Sequence, residues 1–271
     1  MTYQPIVPSG GILGWNFLSR TRETQQAAFE NSKEIVRNVD YFQENIGKVS
    51  TAEDLVNNRR LLQVALGAFG LDEDINNKYF LQKVLEDGTL DSAALANRLS
   101  DKRYLEFSKA FGFGDFSTPR TVLSDFGQEI TSAYKANQFE IAVGNQDSNM
   151  RLALGLDDAL TGIAESATTE NGRWFSVMGQ PAVRAVFEVA LGLPSSVGAL
   201  DLDLQLNVFR ERLESRFGDG GISQFSDPDK IEELRTLFLL QSDINVSNSA
   251  WSGSSTALSI LQNSTNGRAN Y

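Results

Sequence analysis

The segment Arg59-Arg60-Leu61-Leu62-Gln63-Val64-Ala65-Leu66-Gly67 returns later in the chain as Arg184-Ala185-Val186-Phe187-Glu188-Val189-Ala190-Leu191-Gly192, with Arg, Val, Ala, Leu and Gly in register. Downstream, Phe80–Glu86 has a looser echo in Val208–Glu214. Each is followed by a glycine-containing loop and a Ser-Asp pair, Ser100-Asp101 and Ser226-Asp227. The offset drifts from 125 residues at Arg59/Arg184 to 128 at Phe80/Val208, so a duplication would carry a small insertion at Pro194–Gly198. A recurring amphipathic unit must bury its apolar face on a neighbour, which narrows the fold to packed helices. Repetition also points to packing and partner surfaces, whereas a catalytic constellation normally occurs once. The alternative is two amphipathic helices that converged on similar letters.

The spacing of apolar and capping residues predicts helices along most of the chain. Ala28, Ile35, Val36, Val39 and Phe42 follow a period near 3.6 and predict a helix over about 21–45. Ser50 with Glu53 reads as a capping box, and Gly67 or Gly70 as the stop. Further helices are predicted over about 74–86, 92–99 and from Ser100 to Phe111, the last ended by Gly112-Phe113-Gly114. Others follow from near Pro119 to Val143, over 151–167, from Pro181, over 203–217 and 228–241, with a short one at 255–261 and a turn through Trp174 and Phe175. Alternation with period 2 is scarce, so strands have little support. The predicted fold class is all-α: a multi-helix bundle, with 50–115 and 180–241 as its two related helical repeats if the chain is duplicated. The proline- and glycine-rich start predicts a flexible arm over 1–20, leaving 21–262 as the helical domain and 263–271 as a flexible tail.

Two absences exclude the most chemistry. With no Cys and no His, thiolate nucleophiles, Cys/His zinc sites, Ser-His-Asp triads and Glu-x-x-His di-iron sites are all impossible. The side chain most used for proton transfer near neutral pH is also missing. A net charge of −11 disfavours nucleic-acid binding, which needs clustered cations. No apolar run approaches the length of a membrane span, and the first residues do not read as a Sec signal peptide.

Short motifs fail on their own terms. Asp72-Glu73-Asp74-Ile75-Asn76-Asn77 begins like a calcium loop, but Asn77 and Lys83 stand where Gly and a bidentate Glu are needed. Ser132-Ala133-Tyr134-Lys135 matches S-x-x-K without its companion motifs. Gly112-Phe113-Gly114 and Gly218-Asp219-Gly220-Gly221 complete no phosphate-binding pattern. Neither catalytic residues nor a metal or cofactor site is assigned.

Two places stand out as contact elements. Trp15, Phe17 and Leu18 need a surface to cover them, either the chain's own domain or a partner. Arg98, Lys102, Arg103 and Tyr104 are the one place where cations and aromatics interleave. They read either as a partner-facing patch or as a structural junction in which Ser100 or Asp101 caps a helix and an arginine ties two helices.

Several segments resemble a known family. Tyr41-Phe42, Asp54-Leu55, Ala68–Asp72, Lys83–Leu85, Asn97–Tyr104, Phe111–Gly114 and Asn149–Leu154 are similar to a bacterial domain-of-unknown-function family whose members are often encoded among flagellar genes. The resemblance covers roughly 40–240, and Asn97-Arg98-Leu99-Ser100-Asp101-Lys102-Arg103-Tyr104 is its most specific part. It implies a non-enzymatic helical protein that acts in flagellar structure, assembly or export through protein contacts. Such a protein would be cytoplasmic, or exported to the flagellum without a cleavable signal. The alternatives are a cytoplasmic chaperone or regulator for a flagellar substrate, and an enzyme using Asp, Glu, Lys or Ser. Neither the oligomeric state nor the identity of the partner follows from the residues.

Overall fold

The structure, a computed structural model, describes residues 3–166 and 168–245. The described residues are all-α, with no strand among them. They divide into two compact units. The first holds the residues before Ser9, Asn16–Leu154 and Met178–Gln180; the second holds Ser9–Trp15, Gly155–Val177 and the described residues from Pro181 on. The helix predicted at 255–261 and the tail at 263–271 lie outside the described residues.

The chain opens with α1 (Gly11–Glu30), whose first five residues cluster with the second unit and the rest with the first. The expected arm over 1–20 is therefore shorter: of its described residues only 3–10 lack helix. Gly11 sits at φ +63°, a conformation glycine reaches without a Cβ clash, and the helix starts there. Ahead of it, the extended residues 3–8 fold back within the first unit. Ile6 N–H donates to Gln25 Oε1 at 2.5 Å, Gln25 Nε2 returns a bond to the Ile6 carbonyl at 3.2 Å, and Gln146 bonds to both Pro5 and Val7.

In the first unit, α2 (Lys33–Asn45), α3 (Ala52–Asn57), α4 (Arg59–Ala68), α5 (Lys78–Asp87), α6 (Leu95–Arg98), α7 (Arg103–Phe111), α8 (Phe126–Gly144) and α9 (Ser148–Leu154) follow in order. The predicted helix over 21–45 is broken at Asn31–Ser32. The capping box lies one residue beyond the predicted one. Thr51 accepts from Asp54 N–H at 3.1 Å, and Asp54 accepts from Thr51 N–H at 3.1 Å, so two of the orphan donors at the start of α3 are satisfied. The segment read as the start of a helix at Asp74 is instead a 3-10 turn over Asp72–Asn76, and Pro119 leads into a 3-10 turn ahead of α8.

Helix α4 is the centre of this unit and packs on α2, α3 and α8. Leu61, Leu62, Val64, Ala65 and Leu66 are all buried, and removing each leucine or valine side chain from water contributes about 1.5–3 kcal/mol. Gly67 sets how closely α8 approaches: a Cβ there would lie 2.7 Å from the Tyr134 ring. The Tyr134 hydroxyl accepts from Asn38 Nδ2 at 3.1 Å, tying α2 to the same contact. Beside it, Phe69, Phe107, Phe111 and Phe126 form an edge-to-face chain with centroids 5.1–5.5 Å apart, a preferred geometry for the ring quadrupoles.

The second unit contains α10 (Leu156–Ala164), α11 (Glu170–Gly179) as far as Val177, α12 (Pro181–Ala190), α13 (Leu202–Phe217) and α14 over 228–245. The turn expected through Trp174 and Phe175 is instead helix α11, with Trp174 wholly buried. Trp174 packs on Phe187 and Phe209, and its Nε1 donates to the Gly220 carbonyl at 3.0 Å. Pro181 opens α12 as predicted, since its missing N–H is one of the groups a first turn leaves unpaired. Helix α10 packs on α12 and on the 3-10 turn Ile222–Ser226.

Both copies of the sequence repeat are helix, 3-10 turn, helix. Leu66 and Leu191 are both buried, yet the caps do not follow the sequence register. Helix α4 ends with Leu71 N–H on the Leu66 carbonyl at 2.9 Å and Gly70 at φ +65°. Helix α12 ends with Leu193 N–H on the Glu188 carbonyl at 2.8 Å and Gly192 at φ +62°. By backbone role, Gly192 corresponds to Gly70, an offset of 122 residues, and Gly67 is a packing residue inside its helix. The identity of Gly67 and Gly192 is therefore not an equivalence of position.

Candidate functional site

The most specific segment of the sequence resemblance runs from the end of α6 into α7, and five of its polar side chains bond to the chain itself. Asn97 Nδ2 donates to the carbonyls of Thr89 and Asp91 at 2.8 and 2.7 Å. Lys102 Nζ donates to the carbonyls of Asn97 and Leu99 at 3.1 and 3.0 Å, neutralising part of the negative end of α6. Asp101, rather than Ser100, accepts the Arg103 N–H at 3.0 Å and also holds the Arg103 guanidinium through Nε and Nη2. Burial pushes the Asp101 carboxyl up, but the Arg103 bonds outweigh it and hold it below its ordinary value.

Arg103 also reaches the Gly70 carbonyl, next to the left-handed turn that ends α4. This is the tie between two helices that the sequence predicts, made to a C-terminal carbonyl. Tyr104 completes the junction by donating to Asp74 Oδ2 at 2.6 Å. Burial first, then the hydrogen bond and the charge of Asp74, push the Tyr104 hydroxyl up to about 12. From α8, Asn137 Nδ2 donates to the Ala68 carbonyl at 2.6 Å and Gln138 Nε2 to Asp72 Oδ1 at 2.7 Å. These two residues were missed by the sequence reading, because their polar faces gain meaning only when α8 lies against the end of α4. Asp72 and Asp74 of the would-be calcium loop serve as acceptors for this junction, and no cluster of three acidic side chains suited to a metal occurs among the described residues.

Of the seven predicted contact residues, Trp15 and Leu18 are buried, Trp15 beneath the Arg235 guanidinium at 4.7 Å, and Phe17 is half-buried. Trp15 and Leu18 are thus core residues, because α1 lays them inward. Arg98, Lys102 and Arg103 are all exposed and Tyr104 is half-buried; Lys102, Arg103 and Tyr104 also make the internal bonds above. Ser132 and Lys135 form no serine–lysine pair: the Lys135 ammonium lies 2.8 Å from Glu30. Gly112 is the left-handed cap of α7, and Gly114 lies against the Glu86 carbonyl where a Cβ would come within 2.3 Å.

A second feature of the first unit is an open groove of about 790 Å³ beside the starts of α3 and α4, lined by Tyr41, Lys48, Glu53, Asp54, Arg59, Arg60 and the amides of Asn45, Asn57 and Asn58. The family model described as "Protein of unknown function (DUF1217)" matches residues 68–231. The chain belongs to this family. The matched span includes the α6–α7 junction and most of both units but not the groove, and it begins later than the resemblance over 40–240 anticipates. No curated protein matches. A crystal structure of a protein from Agrobacterium tumefaciens is similar, with a TM-score of 0.72 at 23% identity over 89% of this chain and 99% of that one. At that identity the likeness establishes the fold alone. No described helix is long and apolar enough to cross a membrane.

Proposed function

We propose that the protein is a non-enzymatic helical component that works through protein–protein contacts in flagellar structure, assembly or export. The observation that carries the reading is how the α6–α7 segment uses its polar groups: Asn97, Lys102, Arg103 and Tyr104 donate to the chain's own carbonyls and carboxylates, and Asp101 accepts from Arg103. That is the work of a fold-defining junction. A reacting group would instead be held toward a ligand.

Outward chemistry of another kind is available in the second unit. Leu200, Leu202 and Leu204, at the start of α13, are 40%, 53% and 51% exposed within five residues, and contiguous exposed apolar side chains are the usual mark of a protein contact. The flagellar assignment rests on the resemblance to proteins encoded among flagellar genes, an association that a direct experiment must test. Immunoblotting of cytosol, purified flagella and culture medium is that experiment. Recovery with flagella or in the medium is expected. Confinement to the cytosol would favour the chaperone or regulator, and indifference of motility to deletion of the protein would overturn both.

A further inference from the structure

We propose that the groove beside the starts of α3 and α4 is a docking site for an acidic peptide segment of a partner protein. This deepens the protein-contact reading, on which it rests, by naming the chemistry of the partner. Three cations line the groove, Lys48, Arg59 and Arg60, and none of them pairs with a carboxylate among the described residues. Their partners are neutral: Arg59 Nη1 donates to Asn76 Oδ1 at 3.3 Å, Arg60 Nη2 to the Arg37 carbonyl at 3.1 Å, and Lys48 Nζ to Asn45 Oδ1 at 3.0 Å. The Arg60 guanidinium also stacks 4.0 Å over the Tyr41 ring, and that ring is fixed by Asn58 Nδ2 on its hydroxyl at 3.0 Å.

Each guanidinium is therefore oriented while most of its donors stay uncommitted, and that fork matches a carboxylate bidentately. Arg59 and Arg60 also occupy the first turn of α4, which holds no acidic residue. There they oppose the positive end of the helix dipole, and a bound anion would relieve the conflict.

The remaining lining separates peptide from polyanion. Glu53 and Asp54 also line the groove, and Asp54 accepts from the N–H groups of Ser50 and Thr51. A multiply charged phosphate would meet these two carboxylates and the field of a chain with net charge −11. A peptide places single carboxylates opposite the arginines and can offer its backbone to the side-chain amide of Asn57, which also lines the groove.

The test is titration of the full-length ¹⁵N-labelled protein, following backbone and arginine Nε–H resonances. The probes are a blocked Ala/Gly heptapeptide carrying two separated Asp residues, its Asn counterpart and inorganic phosphate. The proposal expects saturable shifts at Tyr41, Arg59 and Arg60 with the Asp peptide, and binding at least about tenfold weaker for the Asn peptide and for phosphate. Arg59→Gln with Arg60→Gln should weaken the Asp peptide about tenfold or more at unchanged circular dichroism. Should the double variant unfold, Arg59→Gln alone, at an exposed position, gives the same reading. Absent saturation, equal binding of the Asn peptide or of phosphate, or unchanged affinity in the variants would each overturn the proposal. None of these results alters where the protein is found by immunoblotting, so the flagellar reading and the groove fail separately.

Discussion

The Tyr104 hydroxyl donates to the Asp74 carboxylate at 2.6 Å and binds the start of α7 to the 3-10 turn that follows α4. Burial first, and then this bond, favour the protonated phenol, so the folded-state value, pushed up to about 12, lies above the ordinary 10.0. Its contribution is present in full below pH 10 and is lost as pH rises from there through about 12. Tyr104→Phe should therefore destabilise the protein by about 1–3 kcal/mol at pH 7. The difference from wild type should shrink in alkali, as measured by urea unfolding at pH 7 and near pH 11. A negligible difference at pH 7 would mean that the ring packing against Phe80, at 5.1 Å, which phenylalanine retains, carries the stability instead.

The three glycines of the repeat should respond in two different ways. Gly70→Ala and Gly192→Ala place a Cβ at positive φ, with no neighbour within 4 Å of Gly192 and only an ordinary contact at Gly70. Each should cost about 1–2 kcal/mol of backbone energy. Gly67→Ala instead drives a Cβ into the Tyr134 ring and should cost about 1–3 kcal/mol despite alanine's better helix propensity. It should also alter the tyrosine near-ultraviolet dichroism, which Gly192→Ala should leave unchanged. If Gly192→Ala perturbs an aromatic ring as Gly67→Ala does, the correspondence of Gly192 with Gly70 is wrong.

Asp115 holds the loop after α5. It accepts from Thr89 N–H at 2.6 Å, the Thr89 hydroxyl at 2.8 Å and Leu90 N–H at 3.1 Å. Burial raises its carboxyl pKa, but these donors prevail and hold it below the ordinary 3.8. A depressed value means stability that is complete above the unfolded-state pKa and lost as pH falls through the folded one. Asp115→Asn should cost about 1–3 kcal/mol at pH 7 and progressively less below pH 4, followed by thermal unfolding across that range.

Leu66→Ala and Leu191→Ala should each cost roughly 2–5 kcal/mol, since both side chains are buried and truncation leaves a cavity. Chemical denaturation measures both. A near-neutral result for either would remove that residue from the core.

The arm before α1 is tied down by Gln25 and Gln146, so deleting residues 2–18, which also removes buried Trp15 and Leu18, should lower the thermal midpoint markedly. Unchanged stability together with lost motility would instead restore the partner-contact reading of this segment.

Helix type and most helix ends could be read from local letters, because their causes are local. The 3.6 spacing of Leu61, Leu62, Ala65 and Leu66 marks a buried face, Gly70 and Gly112 supply left-handed caps, and Pro181 fits a first turn. The absence of Cys and His likewise bounds the chemistry without reference to the fold. Three features needed contacts distant in sequence. The glycine-rich start reads as coil, yet from Gly11 on it is helical and Trp15 and Leu18 find buried places. Trp174 reads as a turn, yet it lies in a helix whose Glu170 carboxylate accepts from the backbone N–H groups of Ile222 and Ser223, some fifty residues away. Gly67 and Gly192 read as equivalent, yet one admits the Tyr134 ring and the other ends a helix. Propensity and periodicity act within a turn or two of helix. Which glycine packs, which arginine finds a carbonyl and which leucine stays in water depend on the neighbour that tertiary folding brings against it.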